Sequence, residues 1–293
     1  MKLFLFKPVD SGAVRIGDEF VIQKASEESL QRARADINAL NNVKKTADIP
    51  AGMKILRAFL LIVTIICAIV FVTSVFNGDL FNGGLGTGED VFGLFFTGIS
   101  CAVGFYAITR WEAKKSAEMY GSTEYKNADA KSSESINMIY RELQVPENVI
   151  KTDVFSGGYS LNKVEISGDK MLKISGPVNH NYIMYVQDGK LMLVSLGVKY
   201  AFDLANLKKI HTISENLRLT YWNCDVPYTD ERFAALDVYY DDEEGGIWVK
   251  KWHALELEHQ GEKYAVAFPS CSLPEFEKLT DLKAEEPVDK FLV

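Results

Sequence analysis

The chain has 293 residues, 40 of them acidic and 32 basic, for a net charge of −8, and only four cysteines. From Tyr120 onward 28 acids stand against 19 bases, so the large C-terminal part is acidic. That balance argues against a nucleic-acid surface and against broad attraction to anionic headgroups. Cys67, Cys101, Cys224 and Cys271 form no CxxC pair, which fits a reducing compartment and argues against a disulfide framework or a thiolate zinc site.

The first 23 residues, "MKLFLFKPVDSGAVRIGDEFVIQ", alternate loosely and break at Pro8 and Gly12, predicting two short strands about a turn. Leu30, Ala33, Ile37 and Leu40 then recur at helical spacing, one apolar stripe of an amphipathic helix suited to packing within the chain. Ser26 is placed to cap it, with Glu27 and Glu28 in the positive first turn and Lys44 and Lys45 in the last. Residues 1–50 are therefore expected as a segment of strands and helix.

Ala58–Phe76 and Val91–Thr109 are each 19 residues long and contain no charged side chain. A helix of that length measures about 28 Å, close to the roughly 30 Å of a bilayer's hydrocarbon layer. Both lie too far along the chain and are too long for a signal peptide. The sequence thus predicts a transmembrane hairpin over 54–110, with spans at 55–76 and 91–110 and an external loop at 77–90. Lys44, Lys45, Lys54 and Arg57 precede the first span, Arg110, Lys114 and Lys115 follow the second, and the loop has no Lys or Arg. Positive flanks are retained inside, so both termini are expected in the cytoplasm of a cell (inner) membrane protein. Thr97, Ser100 and Gly104 offer small residues for close helix packing, within the hairpin or between protomers. Thr64 with Ala68 does the same on the first span. Neither span has an ionisable residue in its interior, as an ion path or proton relay usually would.

Residues 111–131 form a polar juxtamembrane linker, helical at first, with Trp111 where an interfacial aromatic belongs. Ile136, Ile139, Tyr140 and Leu143 mark a short helix that must stop before Pro146. From Val149 the period changes to two, and eleven runs read as strands, among them "NVIKTDVF", "YSLNKVEI", "KMLKIS", "NYIMYV", "KLMLVSL", "VKYAFDL" and "GIWVKKWHALELEH". Asp188-Gly189 between apolar runs is a strong hairpin signal because both turn positions favour positive φ. "SLPEFEKLTDLKAEE" closes the chain as a helix. The fold class expected is α+β: the two-helix hairpin plus a mainly antiparallel β barrel or sandwich over 132–293, with a C-terminal helix.

In "YIMYVQDGKLMLVSLGVKYAFDLANLKKIHTI" and "YAVAFPSCSLPEFEKLTDL" the pattern resembles bacterial pleckstrin-homology-like (PH-like) domains. There a hairpin leads into a strand ending in "DL…L..I" and a late strand feeds a C-terminal helix. With the two spans, the chain resembles uncharacterised bacterial membrane proteins that carry such a domain in the cytoplasm. The resemblance covers roughly residues 150–285 and implies a PH-like barrel. The chain has more strand candidates than the usual seven and no clear basic loop, which speaks against phosphoinositide binding.

The residues offer no familiar catalytic constellation. His253 and His259 share strand parity but lie about 20 Å apart at roughly 3.3 Å per residue, and His180 and His211 have no HxH or HExxH context. Asp241, Asp242, Glu243 and Glu244 are consecutive and so point in different directions, which suits a solvated loop better than a calcium site. Ser156 and Ser195 lack a GxSxG context, and no phosphate-binding glycine motif occurs. No catalytic residue, cofactor or metal is therefore expected. Tyr221, Trp222, Trp248 and Trp252 suit a barrel core, yet Trp248, Lys250 and Trp252 share parity and are the best sequence candidates for a partner surface. The function expected is a membrane-anchored, non-enzymatic binding or adaptor domain, whose partners are the bilayer and a protein or a second protomer. The alternatives are an oligomeric channel or transport accessory and a membrane-tethered enzyme with an unrecognised site.

Overall fold

The structure is a computed structural model that describes residues 1–9, 16–76, 88–165, 167–195, 197–219, 238–240 and 246–292. The chain divides into two compact units, Met1–Glu27 with Met138–Val293, and Glu28–Asn137. The described residues are α+β, with five α-helices and mixed sheets.

The Glu28–Asn137 unit is helical. α1 (Glu27–Lys45) buries Ala33 and Leu40 of the expected stripe. α2 (Ala51–Phe76) and α3 (Gly88–Gly121) contain the two apolar runs. They pack antiparallel: Arg57 pairs with Glu112 near one end, Leu60 lies against Gly104, Cys67 against Gly98, and the Phe71 and Phe95 rings lie 4.8 Å apart near the other. α4 (Thr123–Glu142) begins two residues after α3, so the expected 111–131 linker is almost wholly helical. Its Ser135 hydroxyl donates to the Asp36 carboxylate of α1. The expected external loop falls mostly in residues 77–87, outside the described residues.

The other unit holds thirteen strands among the described residues. A six-stranded sheet has the order β2 (Phe6–Pro8), β4 (Ile150–Lys163), β5 (Lys170–Gln187), β6 (Lys190–Ser195), β7 (Val198–Asp203), β3 (Val21–Lys24). A four-stranded sheet has the order β1 (Lys2–Leu3), β13 (Glu262–Pro269), β12 (Trp252–His259), β8 (Leu207–Ile213). A smaller one runs β10 (Val238–Tyr240), β11 (Ile247–Val249), β9 (Leu217–Leu219). The buried side chains of all three sheets form one apolar cluster that includes Phe4, Phe155, Leu193, Phe202, Leu255 and Phe268.

One expectation needs correction. Of the expected barrel or sandwich, the barrel does not form: the sheets among the described residues stay open, and the two larger ones are mixed. Their ends are occupied by short strands from the chain start, and β1 pairs parallel to β13 and β2 parallel to β4. Residues 1–50 divide between the two units, the first 27 belonging with the β-rich unit. Leu3, Phe4 and Phe6 are fully buried there, so burying these large apolar side chains ties the N-terminus to the core. Gly17, at φ 115°, is required at this join: a Cβ there would lie 2.7 Å from the Phe4 ring.

The strand pattern also regroups. β4 and β5 each merge two expected strands, running through Gly157-Gly158 and Gly176-Pro177, with a register shift between Ser156 and Gly158 where β4 faces β5. α5 (Leu273–Thr280) follows β13 through one 3-10 turn and ends at Asp281, φ 56°. The tail then runs beside β8. The Glu285 and Val288 amides donate to Ile210 and Thr212 carbonyls, and Phe291 is buried against His211 and Trp252.

Candidate functional site

α2 and α3 are each long and apolar enough to cross a membrane, and only 6% and 11% of their candidate spans are buried. Ile55, Phe59, Ile62, Ile66 and Ile69 on α2 and Phe96, Val103 and Tyr106 on α3 are all exposed. A core helix of a water-soluble domain would hide such side chains. The contact between the helices includes Gly98 against Cys67, Gly104 against Leu60 and Phe71 against Phe95, and Thr64 and Ala102 help line an apolar cavity of about 220 Å³ there.

Of the three packing residues expected on α3, only Gly104 lies in this contact: a Cβ there would meet Leu60 at 3.1 Å. Thr97 and Ser100 face away, and their hydroxyls donate to the carbonyls of Gly93 and Phe96 at 2.8 and 2.9 Å. The tightest approach is at Gly98, where a Cβ would stand 2.9 Å from Cys67 Cβ. Small residues at spacing four occur in several registers along α3, and only the partner helix selects Gly98 and Ala102.

In the β-rich unit the expected surface of Trp248, Lys250 and Trp252 does not hold together. Trp252 is fully buried beside Phe291. Parity fails because the run breaks at Lys250–Lys251, so that β11 and β12 belong to different sheets. Trp248 instead pairs across β11 with Arg218 of β9 and Tyr239 of β10. This row shares a face of the small sheet, while Leu217, Leu219, Ile247 and Val249 are buried on the other. Arg218 is exposed, Trp248 and Tyr239 are half-buried, and exposed Lys250 places Nζ 5.4 Å from the Tyr239 ring centroid. Gly246 leaves room for the Arg218 guanidinium, since a Cβ there would be 2.8 Å from Nε. Two cations and two aromatics are thus brought together at this small sheet. The sequence singles out Trp248 and Lys250; Arg218 and Tyr239 join Trp248 only through cross-strand register. Tyr221, Trp222, Cys224 and the acidic run Asp241–Glu244 lie outside the described residues.

Titratable groups meet at three further places. Ser156 Oγ and His180 Nε2 are 2.7 Å apart on adjacent strands β4 and β5, and partial burial holds the His180 pKa below its usual value. On the same ribbon the Asn181 amide donates to Asp153 at 2.7 Å, and Cys271 Sγ lies 3.9 Å from the Asp153 carboxylate. Burial raises both Asp153 and Cys271, so the thiol is kept protonated and is a poor nucleophile. The third place is His211, whose Nε2 lies 2.7 Å from Glu256 and whose Nδ1 lies 3.7 Å from Glu285. Burial works to raise Glu256, but the hydrogen bond and charge of His211 and the charges of Lys263 and Lys209 outweigh it, so its pKa is lowered. This network fastens the C-terminal tail to β8. His253 and His259 are both in β12, six residues apart, as expected. Among the described residues no group of three or more His, Cys, Asp or Glu could hold a metal ion.

No protein-family model, no curated protein and no solved structure matches this chain.

Proposed function

We propose that this protein is a membrane-anchored binding protein. α2 and α3 cross a cell membrane as a hairpin, both termini lie in the cytoplasm, and the β-rich unit captures a protein partner there. The observation that carries the reading is the exposure of apolar side chains along both helices, which hydrocarbon surroundings favour. The basic flanks set the orientation, with Lys44, Lys45, Lys54 and Arg57 before α2's apolar run and Arg110, Lys114 and Lys115 after α3's.

The Arg218–Trp248–Tyr239 row with Lys250 is the partner surface in this reading, and it selects an acidic segment. A C-terminal helix directly after the last sheet strand accords with the PH-like resemblance, which remains part of the proposal. The Thr97 and Ser100 hydroxyls are spent within their own helix, so they add little drive for assembly into a channel, and the adaptor reading is preferred. The Ser156–His180 pair sits on an open strand surface; catalysis would further need an oxyanion site and a group orienting the imidazole.

Cysteine accessibility tests the anchor. With Cys67, Cys101, Cys224 and Cys271 replaced by alanine, a G84C variant should react with a membrane-impermeant maleimide in intact cells. Labelling only after lysis would overturn the orientation, and recovery of the protein in the soluble fraction would overturn the anchor itself.

A further inference from the structure

The helical unit carries a second feature, at the foot of the hairpin on the Arg57–Glu112 side. The last turn of α1, the turn into α2 and the end of α3 enclose an open groove of about 700 Å³, lined by Asn38, Asn41, Lys44, Lys45, Ser116 and Tyr120 among others. Among the described residues Asp48 is the only acid in its lining. Lys44 and Lys45 have no carboxylate within ion-pair distance among the described residues. Lys115, by contrast, is engaged, donating to the Asp48 carbonyl at 2.9 Å and lying 5.6 Å from the Trp111 ring.

The end of a helix ordinarily repels anions through its free carbonyls. Here the carbonyls of Val43, Lys44 and Lys45 accept from the amides of Thr46, Ala47 and Asp48 at 3.0–3.1 Å. They are spent within the turn, and the groove keeps the ammonium groups and the amide donors of the asparagines. Depth follows from helical rise. Ser116 and Tyr120 lie five and nine residues beyond Trp111 on the continuous α3, roughly 8–14 Å past an interfacial ring. The polar layer on each side of a bilayer is about 5–8 Å deep, so the groove meets the lipid headgroups at the level of Ser116, and Tyr120 stands on its water side.

We propose that this groove binds the phosphate-bearing headgroup of an anionic phospholipid, with Lys44 and Lys45 on the phosphate and Asn38, Asn41, Ser116 and Tyr120 offering hydrogen bonds to the headgroup. The site rests on the membrane reading above, and it places lipid recognition at the helical foot and not on the β-rich unit. A free phosphate compound shares this chemistry, so the test must separate the two sources.

The full chain is placed in nanodiscs of phosphatidylcholine with and without phosphatidylglycerol, and retained lipid is read by native mass spectrometry. Phosphatidylglycerol should be retained in preference. The K44Q/K45Q double variant should lose that preference by about 30-fold, roughly fivefold for each lysine near the surface. S116W, which fills the groove without changing charge, should lose it too, while K126Q/K131Q, the same charge change on exposed positions of α4, should keep it. Equal retention of the two lipids overturns the site. So does an equal loss from K126Q/K131Q, or an undiminished preference in S116W, since either reduces the effect to diffuse surface charge. Inorganic phosphate that stabilises the wild type in phosphatidylcholine discs, but not K44Q/K45Q, would assign the groove to a free phosphate compound and overturn the lipid. Failure of the chain to enter any disc would instead overturn the membrane reading.

Discussion

Phe4 meets Phe202 edge to face, their ring centroids 5.2 Å apart, although the whole helical unit separates them in sequence. Phe4 also stands 5.0 Å from Tyr200 in the same geometry, and Phe20 lies 4.8 Å from Phe202. The chain start is thus a core element of the β-rich unit, and residues 138–293 alone would lack the edge strands β1, β2 and β3 and the side chains they bury. Phe4→Ala should destabilise that unit by about 3–5 kcal/mol, the usual cost of truncating a buried phenylalanine. Urea unfolding of the purified chain, followed by the fluorescence of buried Trp252, measures it. A loss within about 0.5 kcal/mol, as for an exposed site, would show that the N-terminal strands are not docked.

The hairpin contact makes a sharper demand. Gly98→Leu adds a side chain whose first carbon alone would stand 2.9 Å from Cys67 Cβ, so α3 must move off α2 or the side chains must leave their rotamers. Overpacking of this kind costs about 1–3 kcal/mol. Thr97→Val, on the outward face, should change stability by less than about 0.5 kcal/mol. Thermal unfolding in detergent distinguishes them. Equal effects would mean that the two helices meet through another face.

This contrast marks what could be read from the chain in advance. Helix lengths, apolar runs and the Asp188-Gly189 turn, with φ of 51° and 72°, follow from local chemistry, and so does the α+β class. Pairings between distant strands do not. Nothing local in "KLFLF" says that Leu3 will lie opposite Ala265 or Phe6 opposite Gly157. Gly157-Gly158 and Gly176-Pro177 look like strand ends, yet a register shift lets one long ribbon pass through them. Lys250-Lys251 looks like strand and is a break. The candidate surface is half legible for that reason: parity holds for Trp248 within β11, Lys250 stands at the break, and Trp252 lies beyond it in the core. The tail after Asp281 carries no periodic signal, and its place is set by backbone bonds to β8, the His211–Glu285 contact and the insertion of Phe291.

The two tryptophans should therefore behave oppositely. Trp248→Ala removes a half-buried aromatic from an outward row and should leave the fold intact while weakening capture of the partner by about 30-fold, the scale of an interfacial hot spot near 2 kcal/mol. Lys250→Glu should weaken it as well, by reversing charge toward an acidic segment. Trp252→Ala should instead unfold the β-rich unit, at a cost of about 3–5 kcal/mol. In-cell photo-crosslinking from position 248, with mass spectrometry of the adducts, supplies the partner. Adducts to lipid or to the chain itself alone would remove the adaptor reading.

Acid should act on the β-rich unit through His253. The ring is almost wholly buried, stacks on Phe268 with centroids 5.6 Å apart, and its Nδ1 lies 3.2 Å from the Thr212 hydroxyl. Burial, aided by the charge of Lys251 and opposed by Glu277, lowers its pKa from 6.5 to about 4. The unfolded chain takes up a proton as pH falls below 6.5, whereas the folded ring does so only near 4. Stability from this residue is therefore complete above pH 6.5 and declines as pH falls, by on the order of 3 kcal/mol at pH 4. His253→Gln cannot protonate and should flatten that part of the profile, even if its neutral-pH stability is lower. Urea midpoints for both chains between pH 7 and 4 decide the matter. Parallel declines would mean that the acid response originates in the carboxylates and not in His253.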